Sequence, residues 1–300
     1  MSLITALFAA LAVFAIYYVF ILYRGMKVAS AEGQPVKPTP LGLAIGAVTN
    51  FFDNFGVGSF ATTTSAFRAT NMVRDEKIPG TLNVGHTIPT FVEAIAATAL
   101  FKTAIHTGTL VQMIAAAVAG AWLGAKVFGG WPRRNVQIGM GLALLAAVGI
   151  MLTRMLLQLP DGNLTQLTGM KLIIGLAVQF ILGMLMTLGI GLYAPCMILV
   201  SMLGMNITAA FPIMMGSCAF LMPVASGNFI KLKSYDPRAS MGLLLGGIPG
   251  VLISAYIVKS MNVDWLKWLV VVVVTYTSIS MLMTARRERM KAGAAPAATH

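Results

Sequence analysis

Long apolar blocks alternate along this chain with short polar connections, and the lengths of the blocks predict its architecture. The first run, Leu3–Tyr23, has 21 residues, and about 18–20 apolar residues suffice to cross a bilayer as a helix. Six more spans are predicted near Leu82–Phe101, Leu110–Phe128, Val136–Leu157, Ile207–Ile230, Met241–Val258 and Leu266–Met283. Two segments do not fit this scheme. Leu41–Met72 and Leu172–Met205 each have just over 30 residues, too long for one span and short for two. Each is interrupted in the middle by Gly-x-Gly, "GVG" at Gly56–Gly58 and "GIG" at Gly189–Gly191. The pattern predicts an all-α polytopic membrane protein with two broken helices.

Composition agrees. The 300 residues are 58% hydrophobic and only 10% charged, where a soluble domain is about a quarter charged. The net charge of +12 would suit a nucleic-acid binder, but Lys and Arg gather in short loops and in the tail "ARRERMKAG", as the positive-inside rule requires. Nucleic acid is therefore not an expected partner. Cys196 and Cys218 fall in apolar stretches, so no disulfide framework is expected. The first run exceeds a signal-peptide core and no Lys or Arg precedes it, so it is expected to stay as a first helix.

Charge counting distinguishes two ways to thread the broken segments. If each is a hairpin and the tail is cytoplasmic, 16 Lys and Arg lie inside and five outside (Lys102, Arg154, Lys171, Lys259, Lys267). If each crosses once, the split is 13 to 8. The hairpin arrangement obeys the positive-inside rule better. Each half then holds one broken hairpin plus three spans, so the two halves enter the membrane from opposite sides. Landmarks recur in the same order: "NFFDNFGVGSF" and "GMLMTLGIGLY", then "AGAWLGAKVF" (Ala119–Phe128) and "LGGIPGVLISAYIV" (Leu245–Val258). Inverted repeats with broken helices at matching positions mark secondary transporters. The expected organisation is an N-terminal helix and loop (1–40), a first repeat (41–158), a loop (159–171), a second repeat (172–285) and a basic tail (286–300).

Ionisable side chains inside hydrocarbon are functional candidates by default. Asp53 precedes the first glycine break, flanked by Asn50 and Asn54. It is suited either to capping the second half-helix or to carrying a proton. His86 and Glu93 stand two turns apart on one face of the next span, with Asn83 close by. These six form the expected polar or coupling core. No Lys or Arg falls at the middle of a full span, so an anion would need the free N–H groups of half-helices opening after the breaks. Gly56, Gly58, Gly189 and Gly191 mark those openings, with hydroxyls from Ser59, Thr62, Thr63, Thr64 and Tyr193. Met197, Met202, Met205, Met214, Met215 and Met222, with the two cysteines, offer soft ligands and hence an alternative as a soft-metal permease. Methionine is equally a flexible apolar filler. A Walker A loop, H-E-x-x-H and G-x-S-x-G do not occur, which argues against ATP drive within this chain and against a membrane hydrolase.

The chain resembles the sulfite exporter TauE/SafE family of membrane permeases over most of residues 41–285. The resemblance rests on "FFDNFGVGSF" and "LGIGLYAP" at the openings, "LGMNITAAFPIMMGS" after the second, and "GAWLGAKVF" and "GGIPGVLISAYIV" later in each half. It implies two inverted repeats and proton- or ion-driven movement of a small anion such as sulfite, a sulfonate or a related organosulfur compound. The sequence thus predicts a secondary transporter, an exporter by resemblance, working by alternating access. Its partners would be that anion, a coupling proton or sodium, the lipid bilayer and a second copy if it oligomerises; no cofactor is called for. The expected location is a bacterial inner membrane, N-terminus outside and C-terminus cytoplasmic. A receptor or assembly factor without transport is the alternative from another class.

Overall fold

The computed structural model describes residues 3–101, 104–127, 133–158, 162–186 and 191–294. They form eleven α-helices: α1 (Leu3–Ala31), α2 (Pro40–Asp53), α3 (Ser59–Thr70), α4 (Ile78–Leu100), α5 (Thr107–Val127), α6 (Arg133–Leu156), α7 (Gly169–Met186), α8 (Tyr193–Met202), α9 (Ala210–Lys231), α10 (Pro237–Ser260) and α11 (Val263–Ala294). No strand is assigned among the described residues; a single isolated bridge joins Leu164 and Met205. Seven helices are long and apolar enough to cross a membrane: α1, α5, α6, α7, α9, α10 and α11.

The span expected at Leu82–Phe101 is α4, and it is the exception. Its 23 residues would reach about 34 Å, enough to cross, yet it is not among the seven. The reason is its inward face. Thr81, His86, Thr87, Thr90, Glu93 and Thr98 are all buried in the protein, so α4 needs little apolar surface of its own. The outside of the bundle is the reverse: Val13, Ile16, Trp122, Ile173, Leu252, Tyr256, Trp265 and Val272 are exposed. Polar groups inside and apolar groups outside are what lipid as solvent demands.

Neither broken segment is a continuous helix. α2 starts at Pro40 on a Thr39 cap, whose hydroxyl accepts the Gly42 N–H at 3.0 Å, and stops at Asp53. Gly56 and Gly58 then take φ of +90° and +84°, a region that L side chains disfavour and glycine enters freely, and α3 begins at Ser59. The two halves follow one order: a helix, a break, a shorter helix, a left-handed residue (Asn71 or Gly204), a 3₁₀ turn (Asp75–Lys77 or Ile207–Ala209), a long helix with an internal proline (Pro89 or Pro223), and two more helices.

Contacts between helices fix their directions. α2 runs parallel to α10, Gly42 facing Gly242, Leu43 facing Gly246 and Ala47 facing Gly250. α4 is also parallel to α10, through Thr81–Ser240, Gly85–Leu243 and Pro89–Gly247. Because α2 and α4 run the same way, α3 between them must bring the chain back. A small cluster of Ile45, Phe67, Ile78, Leu82 and Leu243 accordingly joins α2, the end of α3 and the starts of α4 and α10. At the opposite end α8 returns to where α7 begins: the Leu164 N–H donates to the Gly204 carbonyl at 3.1 Å, and Lys171 approaches Gly204. Both breaks are reversals. α4 and α9 run antiparallel, through Gly80–Phe229, Thr87–Ser226 and Thr90–Met222.

α5 packs on α7 as α10 packs on α2. A Cβ on Gly246 would collide with the Leu43 carbonyl, and one on Gly120 with the Phe180 carbonyl; small residues let backbones approach where no hydrophobic drive exists between helices in lipid. α11 continues past the expected end of its span at Met283 into the basic tail, because Ala, Arg, Glu, Met and Lys are good helix formers.

Gly246→Val should therefore lower the thermal midpoint of detergent-purified protein, by about 1–3 kcal/mol of stability. Gly139→Ala, where a Cβ meets nothing within 4 Å, should leave the midpoint unchanged or slightly raised.

Candidate functional site

The two reversals meet. Gly56, in the first break, lies against the Met197 side chain of α8 in the second. Between them is a cavity of about 50 Å³, bounded by Asp53, Gly58 and Ser59 from the first opening and by Gly191 and Tyr193 from the second. α4, α9 and α11 add Thr90, Cys218, Met222 and Thr277. Five residues marked in the sequence for the openings and the polar core thus share one cavity. Gly189 lies outside the described residues.

Asp53 is 3% exposed, and its Oδ1 accepts the Ser59 N–H at 2.8 Å. Gly58 occupies the cap position of α3 and has no side chain to offer, so the last residue of α2 caps the next helix across the break. The N–H that Ser59 could have turned toward an anion is thereby occupied. α8 differs: its cap position is Leu192, with no side-chain cap bond. Among the described residues, the positive end of α8, rather than that of α3, is the one left without an acceptor from a capping side chain.

His86 is fully buried and bridges three helices. Its Nδ1 lies 3.0 Å from Asn50 Oδ1 on α2 and its Nε2 lies 3.0 Å from Thr63 Oγ1 on α3. The Asn50 amide donates its Nδ2 to the Gly46 carbonyl at 2.8 Å. A carbonyl only accepts, so Asn50 presents its oxygen to His86, and Nδ1 carries the proton. Nε2 is then free to accept the Thr63 hydroxyl, and a neutral imidazole satisfies both neighbours. Asn54 turns the other way and donates to Ser254 Oγ on α10 at 3.0 Å.

Glu93 is fully buried one layer behind the cavity. Its Oε2 accepts the Tyr193 hydroxyl at 3.0 Å, joining α4 of the first half to α8 of the second. Its Oε1 is buried and has no hydrogen-bond partner among the described residues, and the same is true of the Thr277 hydroxyl. Unpartnered buried polar atoms are rare in native proteins, and these two stand at or behind one cavity.

Thr62 and Asn83 are not part of this constellation. The Thr62 hydroxyl turns back to the Gly58 and Ser59 carbonyls of its own helix, and the Asn83 amide to the Pro79 carbonyl. Thr64 likewise bonds to Phe60. Of the soft-ligand set, Cys218 donates to Met186 Sδ at 3.7 Å and Met222 Sδ accepts the Thr90 hydroxyl at 3.4 Å; Met214 and Met215 are buried in the apolar core. Thr277 and Thr90 escaped the sequence, where a hydroxyl on an apolar helix has no distinguishing mark.

The Asp53 cap has a direct consequence. Asp53→Asn keeps an oxygen for the Ser59 N–H and should fold with near-normal stability. Asp53→Ala should lose about 1–2 kcal/mol, the usual worth of a cap, read as a lower thermal midpoint of the purified protein.

The model of the sulfite exporter TauE/SafE family matches residues 171–299, the stretch that holds α7 to α11. No curated protein and no solved structure matches the chain. The family is one of membrane permeases and not of enzymes. The match over the second half supports the family to which the motifs of both halves pointed, sulfite exporter TauE/SafE.

Proposed function

We propose that the chain moves a small oxyanion of the sulfite type through the cavity between its two openings, coupled to a proton on Glu93. The observation that carries this is the convergence of two broken helices, one from each half, on one small cavity. The halves act as inverted repeats; the antiparallel run of α4 and α9 and the matched α2–α10 and α5–α7 pairs support that arrangement. The end that gathers Arg24, Lys27, Arg68, Arg74, Lys77, Lys231, Lys233 and Arg238 faces the cytoplasm, which follows from the positive-inside rule.

The size of the cavity favours a small substrate. At about 50 Å³ it has room for roughly three or four waters, comparable to a four-atom oxyanion and short of an extended sulfonate. The anion would sit at the N-terminus of α8, with the Ser59 and Thr277 hydroxyls as donors. Among the described residues no Lys or Arg lines the cavity and Asp53 does, so an incoming anion gains when nearby negative charge is cancelled. Asp53 and His86 have structural bonds that hold the hairpin. Glu93 has an oxygen to spare, and a proton there removes an unpaired charge from hydrocarbon. Occupancy of the cavity and protonation of Glu93 then rise together, which is coupling in the thermodynamic sense.

In proteoliposomes, the protein should accumulate labelled sulfite under an imposed pH gradient. Glu93→Gln should abolish the gradient-driven component while keeping sulfite counterflow. Thr277→Val, equal in shape, should weaken sulfite by about tenfold, the worth of a hydrogen bond to a charged group. No counterflow of any small oxyanion by the unmodified protein would overturn the proposal.

A further inference from the structure

A second and larger cavity, about 300 Å³, lies at the basic end of the bundle and shares no lining residue with the first. It is a groove between α1 and α9, floored by Gly25 and Gly227, where the helices touch: Gly25 meets Ile230, and Gly227 meets Ile21 and the Tyr17 hydroxyl. Its walls change character along α1. Tyr17, Phe20 and Ile21 are apolar or aromatic, and Arg24 follows one turn on, with Lys231 and Lys233 opposite.

The position of this change relates the groove to the membrane. The apolar run of α1 ends at Tyr23 after 21 residues, about the length of a bilayer core. Arg24 therefore stands at head-group depth and Tyr17 to Ile21 at acyl depth. Tyr17 and Phe20 are 46% and 56% exposed, so the groove opens sideways to lipid. Among the described residues Lys233 pairs with Glu32, while Arg24 and Lys231 take part in no ion pair; Arg24 lies over the Phe20 ring at 5.4 Å. Tyr235 adds a hydroxyl in the loop after α9. Burial, with the Glu32 carboxylate nearby, pushes it up to about 12, so it remains a donor at neutral pH.

We propose that this groove binds an anionic phospholipid, its phosphate held by Arg24 and Lys231 and its upper acyl chains lying on Tyr17, Phe20 and Ile21. Basic pockets between transmembrane helices at the cytoplasmic side suit anionic head groups. A free phosphate would use the basic rim but leave the aromatic wall unfilled, and a second copy of the chain would have to bring acids to a rim whose own Glu32 is already paired. The bound lipid also explains how α1 stays seated. Its buried residues form one narrow stripe of Leu7, Leu11, Tyr18, Leu22, Gly25 and Ala29, and the lipid extends that contact along the α1–α9 seam.

The test uses delipidated full-length protein in neutral detergent, followed by native mass spectrometry and thermal unfolding. Phosphatidylglycerol should bind and raise the thermal midpoint, whereas phosphatidylcholine of the same chains and inorganic phosphate should not. Arg24→Ala with Lys231→Ala should weaken phosphatidylglycerol by about thirtyfold, roughly fivefold per basic residue, and leave sulfite counterflow in place. Tyr17→Ala with Phe20→Ala should weaken it as well, which a head-group-only contact would not predict. Equal stabilisation by phosphatidylcholine, equal stabilisation by inorganic phosphate, or undiminished binding to the Arg24/Lys231 variant would each overturn the proposal. So would a groove filled instead by a second copy, seen as a dimer that phosphatidylglycerol does not displace.

Discussion

A backbone N–H freed by a helix break inside hydrocarbon has no water to bond to and must find its acceptor in the protein. In the first half that acceptor is the Asp53 carboxylate, held 2.8 Å from the Ser59 N–H across the break. The rest of the site depends on this bond. It lets α2 stop and α3 begin at membrane depth, it fixes where the chain turns, and it places Gly58 and Ser59 at the wall of the cavity. The Asn50–His86–Thr63 bridge then holds α2 and α3 to α4 with every polar atom of the imidazole matched. The break is tolerated because its polar groups are satisfied within the protein: the N–H groups of Phe55, Gly56 and Val57 by carbonyls of Phe52 and Asp53, that of Ser59 by the Asp53 carboxyl, and the Asn54 amide by Ser254.

The second opening is built differently, and the difference has chemical content. Leu192 stands where Gly58 does, and among the described residues no side-chain cap bond is made from it to α8. One opening is capped by the Asp53 carboxyl, and the other is where the proposed anion would sit. Tyr193 and Glu93 connect the two halves behind the cavity, so movement of one half against the other has to change that contact. The helix pairs around the site are closely packed. Backbone-to-backbone packing of α2 on α10 and of α5 on α7 leaves no room for even a methyl group at Gly246 or Gly120, so each pair moves as a unit if it moves at all.

Much of this was legible in the residues because lipid leaves so few alternatives. Asp53, His86 and Glu93 stand out as ionisable groups in apolar text, and "GVG" and "GIG" as breaks in spans too long to be single helices. Helix directions in the fold agree with the hairpin threading that the charge count favoured. What the sequence left hidden depends on three-dimensional pairing. The use of the Ser59 N–H by Asp53, the turn of Asn54 toward Ser254, and the self-directed bonds of Thr62 and Asn83 are invisible to spacing alone. Thr277 carries a hydroxyl with no partner among the described residues, yet in "TYTSIS" it looks like its neighbours Thr275 and Ser278, which bond to backbone carbonyls. The modest hydropathy of α4 had the opposite effect: its threonines, His86 and Glu93 weaken it as a span on paper and are the reason it lies at the centre.

The central claim is that each break reverses the chain, so that both openings face one cavity from opposite sides. The most direct measurement is side-specific labelling of single cysteines with a membrane-impermeant maleimide in sealed, oriented vesicles, on a background in which Cys196 and Cys218 are replaced by alanine. Cysteines at Lys37 and Arg68, before α2 and near the end of α3, should label from one face. Those at Met170 and Met202, at the start of α7 and the end of α8, should label from the other. If Lys37 and Arg68 label from opposite faces, the first segment crosses the membrane once and the account fails.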